Sequence, residues 1–400
     1  MVAQSHGEWV QTTGLAGQVV RALVAEDKAI YAGTDDGVFL SVNNGNTWTA
    51  ANTGLPKDTV VSLSAGGGAV FAGMLHSGIF ASVSDGDSWT AVNQGLPHDA
   101  VDTNSYPQIN QIASDGSRLY ASALRKGVFL SQNGGASWNP INTGLTTTNI
   151  FALAVSGGNL FAGAGSGGGV FVLSNSGATW QAANNGLTYT QGMVYSVSTL
   201  AAGSGRLYAG TVAGGLYRTA DNGDNWAESG QGMSAALVTA LYVHGPDIFG
   251  GTSSNGVFVS TDNAASWTEI DGGLFTNVAV LCLCASDSTL FAGLYGRGVW
   301  RRSLPETSPT PTAAMLEKSP AKAAYGISSM PGGLRYALPA TSPVSIVYYD
   351  LQGRLVASVV NKIQSAGLYS LAAPSLPSGF YVRDFRAGSF AQRDGVRITR

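Results

Sequence analysis

The chain has 400 residues, 44% of them apolar, which suits one large repeat array or two domains with substantial cores and excludes a disordered chain. Only 11% are charged and 54 are glycine, so polarity must come from Ser, Thr, Asn, Gln and the backbone, as in short strands joined by tight turns. A formal net charge of -3 carries no basic surplus and excludes nucleic acid or an anionic membrane as the main partner.

At the N-terminus Met1 is followed almost at once by polar residues, so this stretch does not read as a signal peptide, and export would need a leader already removed. No apolar run approaches the ~18 residues of a membrane span, so no transmembrane segment is expected. From there the chain repeats itself. An apolar, aromatic, small pattern recurs at Ile30-Tyr31-Ala32-Gly33, Val70-Phe71-Ala72-Gly73, Leu119-Tyr120-Ala121, Leu160-Phe161-Ala162-Gly163, Leu207-Tyr208-Ala209-Gly210, Ile248-Phe249-Gly250-Gly251 and Leu290-Phe291-Ala292-Gly293. Each copy is preceded by an apolar run and followed by a segment like Gly37-Val38-Phe39 or Gly298-Val299-Trp300. Six copies continue into a turn and a tryptophan, Trp48, Trp89, Trp138, Trp180, Trp226 and Trp267.

Four short strands per unit of roughly 40–50 residues is the pattern of a propeller blade. The seventh copy lacks its closing segment, and Glu8-Trp9-Val10-Gln11-Thr12-Thr13-Gly14-Leu15 matches that segment with one residue deleted. The expected fold is therefore all-β: a seven-bladed β-propeller over 1–304, closed by an N-terminal strand, with Trp9 on the outer strand of the last blade. Cys282 and Cys284 share one strand face, which is poor disulfide geometry, so they read as buried free thiols. His6, His76, His98 and His244 are scattered, and no metal site or cofactor is expected.

The turns before the tryptophans, such as Ser41-Val42-Asn43-Asn44-Gly45-Asn46-Thr47-Trp48, Thr219 to Trp226 and Ser260 to Trp267, resemble Asp-box repeats, S-x-D-x-G-x-[ST]-W, also called bacterial neuraminidase repeats. Their Asn43, Asn133, Asn175, Asp221 and Asp262 can accept turn N–H groups, glycine relieves a positive φ, and the ring of Trp packs between blades. These are structural roles. Ser84 stands where Asp is expected, Leu173 replaces the first Ser, and Ala264 replaces Gly.

After Leu304 the composition changes. Residues 305–324, opening with Pro305, Pro309 and Pro311, read as a semi-rigid linker. Short alternating runs at 334–338, 344–349, 355–360, 367–371 and 379–383 then predict a small Ig-like β-sandwich over 325–400. Residues 344–354, Gly367-Leu368-Tyr369, 376–381 and Arg397-Ile398-Thr399-Arg400 resemble the C-terminal sorting domain of type IX secretion cargo. That resemblance implies secretion machinery as a partner and an extracellular or cell-surface location.

In such blades the Asp-box hairpins share one face, and the loops between strands two and three and between blades share the other, where ligands usually bind. Candidate ligand-binding residues there are Asp35, Asp36, His76, Asp102, Tyr106, Arg125, Lys126, Tyr295 and Arg297, with Lys57, Asp58, His98, Asp99 and Tyr189 nearby. Most belong to repeats one to three, where the connection 96–109 is also longest, so that sector is the expected binding patch. A sialidase resemblance would demand an arginine triad and a tyrosine–glutamate pair. Only Arg125 and Arg297 stand in suitable loops, while Arg118 and Arg206 fall in opposite turns, and Glu26, Glu228 and Glu269 are misplaced. The segment Thr34-Asp35-Asp36-Gly37 is similar to one in xyloglucan-cleaving propeller enzymes, and an inverting pair needs carboxyls ~6.5–9.5 Å apart, so Asp35 with Asp58, Asp99 or Asp102 is the alternative catalytic set. That family uses two propellers, and this chain has one. Photosystem II assembly factors resemble the array in fold and bind protein without catalysis. The expected function is thus a secreted or surface binding protein for polysaccharide or protein, with glycoside hydrolase as the alternative.

Overall fold

The computed structural model describes residues 7–304 apart from 27, 100–101, 117, 176–177, 188–193, 204, 213–214, 234–236 and 287. It also describes 326–398 apart from 331–332, 339–341, 351–353, 365–366, 373, 375, 378 and 388–389. The predicted linker 305–324 lies outside the described residues. The described elements are all strands and turns, and they fall into two compact units, 1–308 and 309–400.

The first unit is a set of propeller-like sheets, each of four antiparallel strands. Sheet one runs Val20–Glu26, Ala29–Thr34, Gly37–Ser41 and Thr49–Ala50, and sheets two to six repeat that order from Val60–Gly66, Ile109–Ser114, Ile150–Ser156, Val197–Gly203 and Val238–His244. Sheet seven has Val280–Ser286, Thr289–Leu294 and Gly298–Ser303, and its fourth strand is Val10–Gln11, paired with Arg301 and Trp300. The second strand of every sheet is covered on both faces, as Ile30, Tyr31, Ala32, Gly33 and Thr34 show in sheet one. This is why its sequence is an unbroken small and apolar run rather than an alternation. The first strands pack on one another in cyclic order, that of sheet seven against that of sheet one.

Neighbouring sheets are joined by the tryptophans. Trp89 Nε1 donates to the Ala51 carbonyl of the preceding sheet, Trp138 to Val92, Trp180 to Ile141, Trp226 to Ala183, Trp267 to Ser229 and Trp9 to Ile270, at 2.5–2.8 Å. Trp48 completes the series on the Thr12 hydroxyl at 3.0 Å. All seven rings are buried. An indole buries roughly 150–250 Å², about 4–6 kcal/mol before entropy costs, and its N–H must find an acceptor once dry.

The same joint explains one set of glycines. Trp138 N donates to the Gln94 carbonyl, and a Cβ on the next residue, Gly95, would lie 2.1 Å from the Trp138 carbonyl oxygen. Gly95 also has φ +87°, so both the contact and the backbone exclude a side chain. Gly54, Gly144, Gly186, Gly232 and Gly273 sit in the same way against the next tryptophan.

A second ring of contacts runs along the inner strands. Every first strand carries a bulge after its first residue. In five seams a side chain donates to the carbonyl of the residue that opens the next inner strand: Ser62 to Ile109, Asn110 to Ile150, Ser198 to Val238, Thr239 to Val280, and the Cys282 thiol to Val20 at 3.6 Å. Cys282 and Cys284 are free. Burial pushes both thiols up, Cys284 to about 12, so neither is a reactive thiolate at neutral pH.

The second unit has a three-stranded sheet of Gly326–Met330, Gly333–Leu338 and Gly367–Ala372, and a four-stranded sheet in the order Leu355–Gln364, Ser342–Tyr349, Gly379–Ala387, Phe390–Ile398. Leu334, Tyr336 and Leu338 of the first share one core with Val344, Ile346, Tyr348 and Phe385 of the second. Strands Gly326–Met330 and Phe390–Ile398 have no counterpart among the predicted ones. Their Ser328-Ser329 and Arg393-Asp394 pairs break the apolar alternation by which strands are read.

Gly95→Ala is expected to cost about 2–4 kcal/mol, because strain at positive φ adds to a collision with backbone. Gly67→Ala, with φ +66° but nothing within 4 Å, is expected to cost only about 1 kcal/mol. Equal losses in urea unfolding of the two variants would show that the seam contact contributes nothing.

Candidate functional site

Antiparallel order puts the turns between strands two and three, and the connections from strand four to the next sheet, at one end of the strands. The turns before the tryptophans lie at the other end and are closed by their own side chains. In sheet one the Ser41 hydroxyl accepts from Gly45 N and donates to Asn43 Oδ1, which also accepts from Thr47 N. Ser131 with Asn133, Thr219 with Asp221, and Ser260 with Asp262 repeat this, and Ser82 with Ser84 does so through hydroxyls alone. Ala264 keeps the same turn at φ 61°. Asn175 departs from the set: its Oδ1 accepts from Arg118 Nη2 of sheet three, and Leu173 brings no hydroxyl.

At the loop end a latch recurs that the sequence reading missed. Asn52 Oδ1 accepts from Val38 N, and Asn93, Asn142 and Asn184 do the same for Ile79, Val128 and Val170, at 2.6–2.7 Å. The first three also donate back to the carbonyls of Asp36, Ser77 and Lys126. The signal was present, since each Asn follows its tryptophan by the same interval, whereas Gly230 and Asp271 hold that place in sheets five and six.

The predicted residues fall into separate groups. Asp58, His76, His98, Asp99, Asp102 and Tyr106 come together at sheets two and three. Tyr106 N donates to the His76 carbonyl, its ring stacks on His98 at 4.7 Å, and two bonds fold the connection, Asp99 N donating to Ser105 O and Asn104 N to Asp102 Oδ1. Asp35 and Asp36 lie apart, held by the first sheet itself: Arg21 Nε donates to Asp35 Oδ1 at 2.6 Å and Gln18 Nε2 to Asp36 Oδ2 at 2.7 Å. Arg125, at φ 59°, offers its carbonyl to Thr148, and Lys126 its carbonyl to Asn142. Tyr295 and Arg297 belong to sheet seven, where the Arg297 guanidinium lies 4.6 Å over the Phe275 ring and Phe275 meets the edge of Trp300. Tyr295 is 60% exposed and Phe275 45%. Tyr189 lies outside the described residues.

Arg21 and Phe275 were not legible. Arg21 stands in an inner strand, and only the bulge and the neighbouring turn bring it to the loop end beside Asp35. Phe275 sits in an irregular connection with no periodic signal.

The electrostatics separate the carboxylates. Asp58 is nearly buried, and burial alone would raise its pKa, but donation from His76 N, Ser77 Oγ, Thr59 N and the His76 ring outweighs it and lowers the pKa below 3.8. Its oxygens thus serve as an anchor for the turn. Asp221 and Asp262 are brought to about 2 by the turn donors around them, first Thr219 and Ser266 respectively. Among the described residues no cluster of three or more His, Cys, Asp or Glu could hold a metal ion. Among them, too, no helix is long and apolar enough to cross a membrane.

Residues 2–111 match the profile of the DUF6242 beta propeller domain. No curated protein matches the sequence. Among solved structures, YCF48 from Cyanidioschyzon merolae is similar at 13% identity and a TM-score of 0.57, over 75% of this chain and 99% of that one. The extracellular domain of the two component system protein BT4673 from B. thetaiotaomicron is similar at 12% identity and a TM-score of 0.60, over 99% of this chain and 60% of that one. The GH74 xyloglucanase from Xanthomonas campestris is similar at 16% identity and a TM-score of 0.54, over 73% of this chain and 44% of that one. The chain therefore spans less than two thirds of the last two, and at these identities the likeness is one of fold.

A carboxylate with a depressed native pKa stabilises the fold above its unfolded pKa and loses that contribution as pH falls through the native value. Stability is therefore expected to fall between about pH 4 and pH 2. Asp58→Asn should flatten part of that fall and cost about 1–3 kcal/mol at pH 7, because an amide N–H₂ then faces donors. An unchanged acid profile in melting experiments from pH 2 to 7 would show that Asp58 takes no part.

Proposed function

We propose that the first unit is a closed seven-bladed propeller of Asp-box type whose loop face is a non-catalytic binding surface for polysaccharide or protein. We further propose that the second unit is an Ig-like sorting sandwich, joined by the linker 305–324, that directs export by a type IX-like route to the cell surface or exterior. Closure is supported by Val10–Gln11 in sheet seven and by the bond from Trp9 to Ile270. The Asp-box reading is supported by the turn bonds of five copies. The neighbour from B. thetaiotaomicron, an extracellular domain, agrees with the location.

One contrast carries the binding reading over catalysis: the loop-face aspartates are engaged while the aromatics are presented. Asp58 accepts four donors and Asp35 is paired with Arg21, so neither is poised as the base or acid of an inverting pair. Tyr295 and Phe275 are open to solvent beside Arg297, and half-buried Tyr106 stacks with exposed His98. Rings of this kind suit sugar faces or protein contacts.

The deciding experiment is a glycan-array screen of the full chain beside a reducing-sugar release assay on the same polysaccharides. Binding without release, weakened at least tenfold by Tyr295→Ala, about 1.4 kcal/mol, is expected. Release would overturn the reading, and silence in both would assign the face to a protein. For closure, deleting residues 1–15 should lower Tm by about 10 °C or more, since a buried indole and a paired strand are lost. Unchanged melting would overturn it.

A further inference from the structure

The end of the strands away from the loop face holds a cleft that no other observation accounts for. It lies between sheets three and four and has a volume of about 260 Å³. Its floor is aliphatic, from Leu130 and Ile141 on one side and Leu160 and Leu173 on the other. Its polar wall carries the Arg118 guanidinium beside Thr143, Ser174 and Asn175. Arg118 Nε donates to Asp115 Oδ2 at 2.6 Å and Nη2 to Asn175 Oδ1 at 2.9 Å, which bridges the two sheets.

The cleft coincides with the departure in the fourth repeat. At the corresponding turns of sheets one, three and five, the aromatic of the preceding sheet lies beneath the turn glycine: a Cβ on Gly45, Gly135 or Gly223 would lie 2.5–3.5 Å from Phe291, Phe71 or Phe161. A hydroxyl of Ser41, Ser131 or Thr219 ties each of those turns down. In the fourth copy Leu173 takes the place of that hydroxyl, and Asn175 is turned toward Arg118. Tyr120, the preceding aromatic, donates its hydroxyl to Asp115. Burial and then the Asp115 carboxylate push that hydroxyl up to about 12, so it stays a neutral donor.

This arrangement selects a ligand. The charged side chain on the cleft lining is Arg118, beside the hydroxyls of Thr143 and Ser174 and the amide of Asn175, while Asp115 behind it accepts from Arg118 N, Arg118 Nε and the Tyr120 hydroxyl. Among the described residues Arg118 Nη1 has no partner, and the guanidinium keeps donors for an incoming oxygen. Tyr120 is buried and presents no open ring face for a sugar. We propose that the cleft between sheets three and four binds a small aliphatic carboxylate, its head on Arg118 and its branched body on Leu130, Ile141, Leu160 and Leu173. A volume of this size is near the lower bound for small-molecule sites and admits a short acid rather than a long chain.

The test is a ligand-observed NMR titration of the full chain with 4-methylpentanoate. Saturable binding with a Kd of about 1 mM is expected. The alcohol 4-methylpentan-1-ol should bind at least tenfold more weakly, and acetate should not saturate. Leu173→Phe fills the floor and should abolish binding while the protein stays folded. Arg118→Lys keeps a cation for Asp115 but loses the fork, and should weaken binding several-fold. N-acetyl-leucine separates the sources of this chemistry: tighter binding than the free acid assigns the cleft to a peptide C-terminus, weaker binding to a free acid. Absence of saturation, equal binding of acid and alcohol, or full binding by Leu173→Phe would overturn the proposal.

Discussion

Each sheet of the first unit is finished by its neighbour, and the indole N–H is where this is plainest. A buried Trp must place one donor, and in six of the seven seams that donor reaches a carbonyl of the preceding sheet. A carbonyl in a fixed strand lies in one direction only, so the bond sets how far and at what angle adjacent sheets meet. The glycine beside the seam follows from the same closeness, since the tryptophan backbone lies where a Cβ would be. At the opposite edge, in five of the seven seams, Ser62, Asn110, Ser198, Thr239 and Cys282 donate to the carbonyl that opens the next inner strand.

Seen from these seams, the repeats are equal in architecture and unequal in detail. Sheets one to four have an asparagine that pins the loop-end turn, and sheets five and six have Gly230 and Asp271 instead. The fourth turn opens with Leu173 where the others have a hydroxyl residue, and a cleft stands beside it. The seam between sheets seven and one is the least regular: Trp48 bonds a side chain rather than a carbonyl, and a thiol replaces a hydroxyl at Val20. A thiol is a weak donor, so this inner joint contributes less than the others.

The same accounting separates structural from available polar groups. Asp58, Asp221 and Asp262 look alike in a sequence, as exposed-loop carboxylates, yet each is held ionised by turn donors. Their depressed pKa values measure how far the fold itself uses the charge. What stands open is aromatic and cationic, Tyr295, Phe275 and Arg297 at the loop end, while Arg118 at the other end is half-buried between Asp115 and Asn175.

By itself the sequence determined the repeat, the strand order within it and the tryptophan and glycine positions, because each of these is a local pattern with a period. It also carried the asparagine latch, in the constant spacing of Asn52, Asn93, Asn142 and Asn184 from their tryptophans, though that signal passed unread. Only the tertiary structure decided the grouping of the functional side chains. Arg21 meets Asp35 because a bulge and a turn converge, and Phe275 meets Arg297 because an irregular connection crosses a neighbouring turn. Arg118 bridges to Asn175 across a seam between two sheets. Such meetings depend on distances between sheets, which no spacing along the chain encodes.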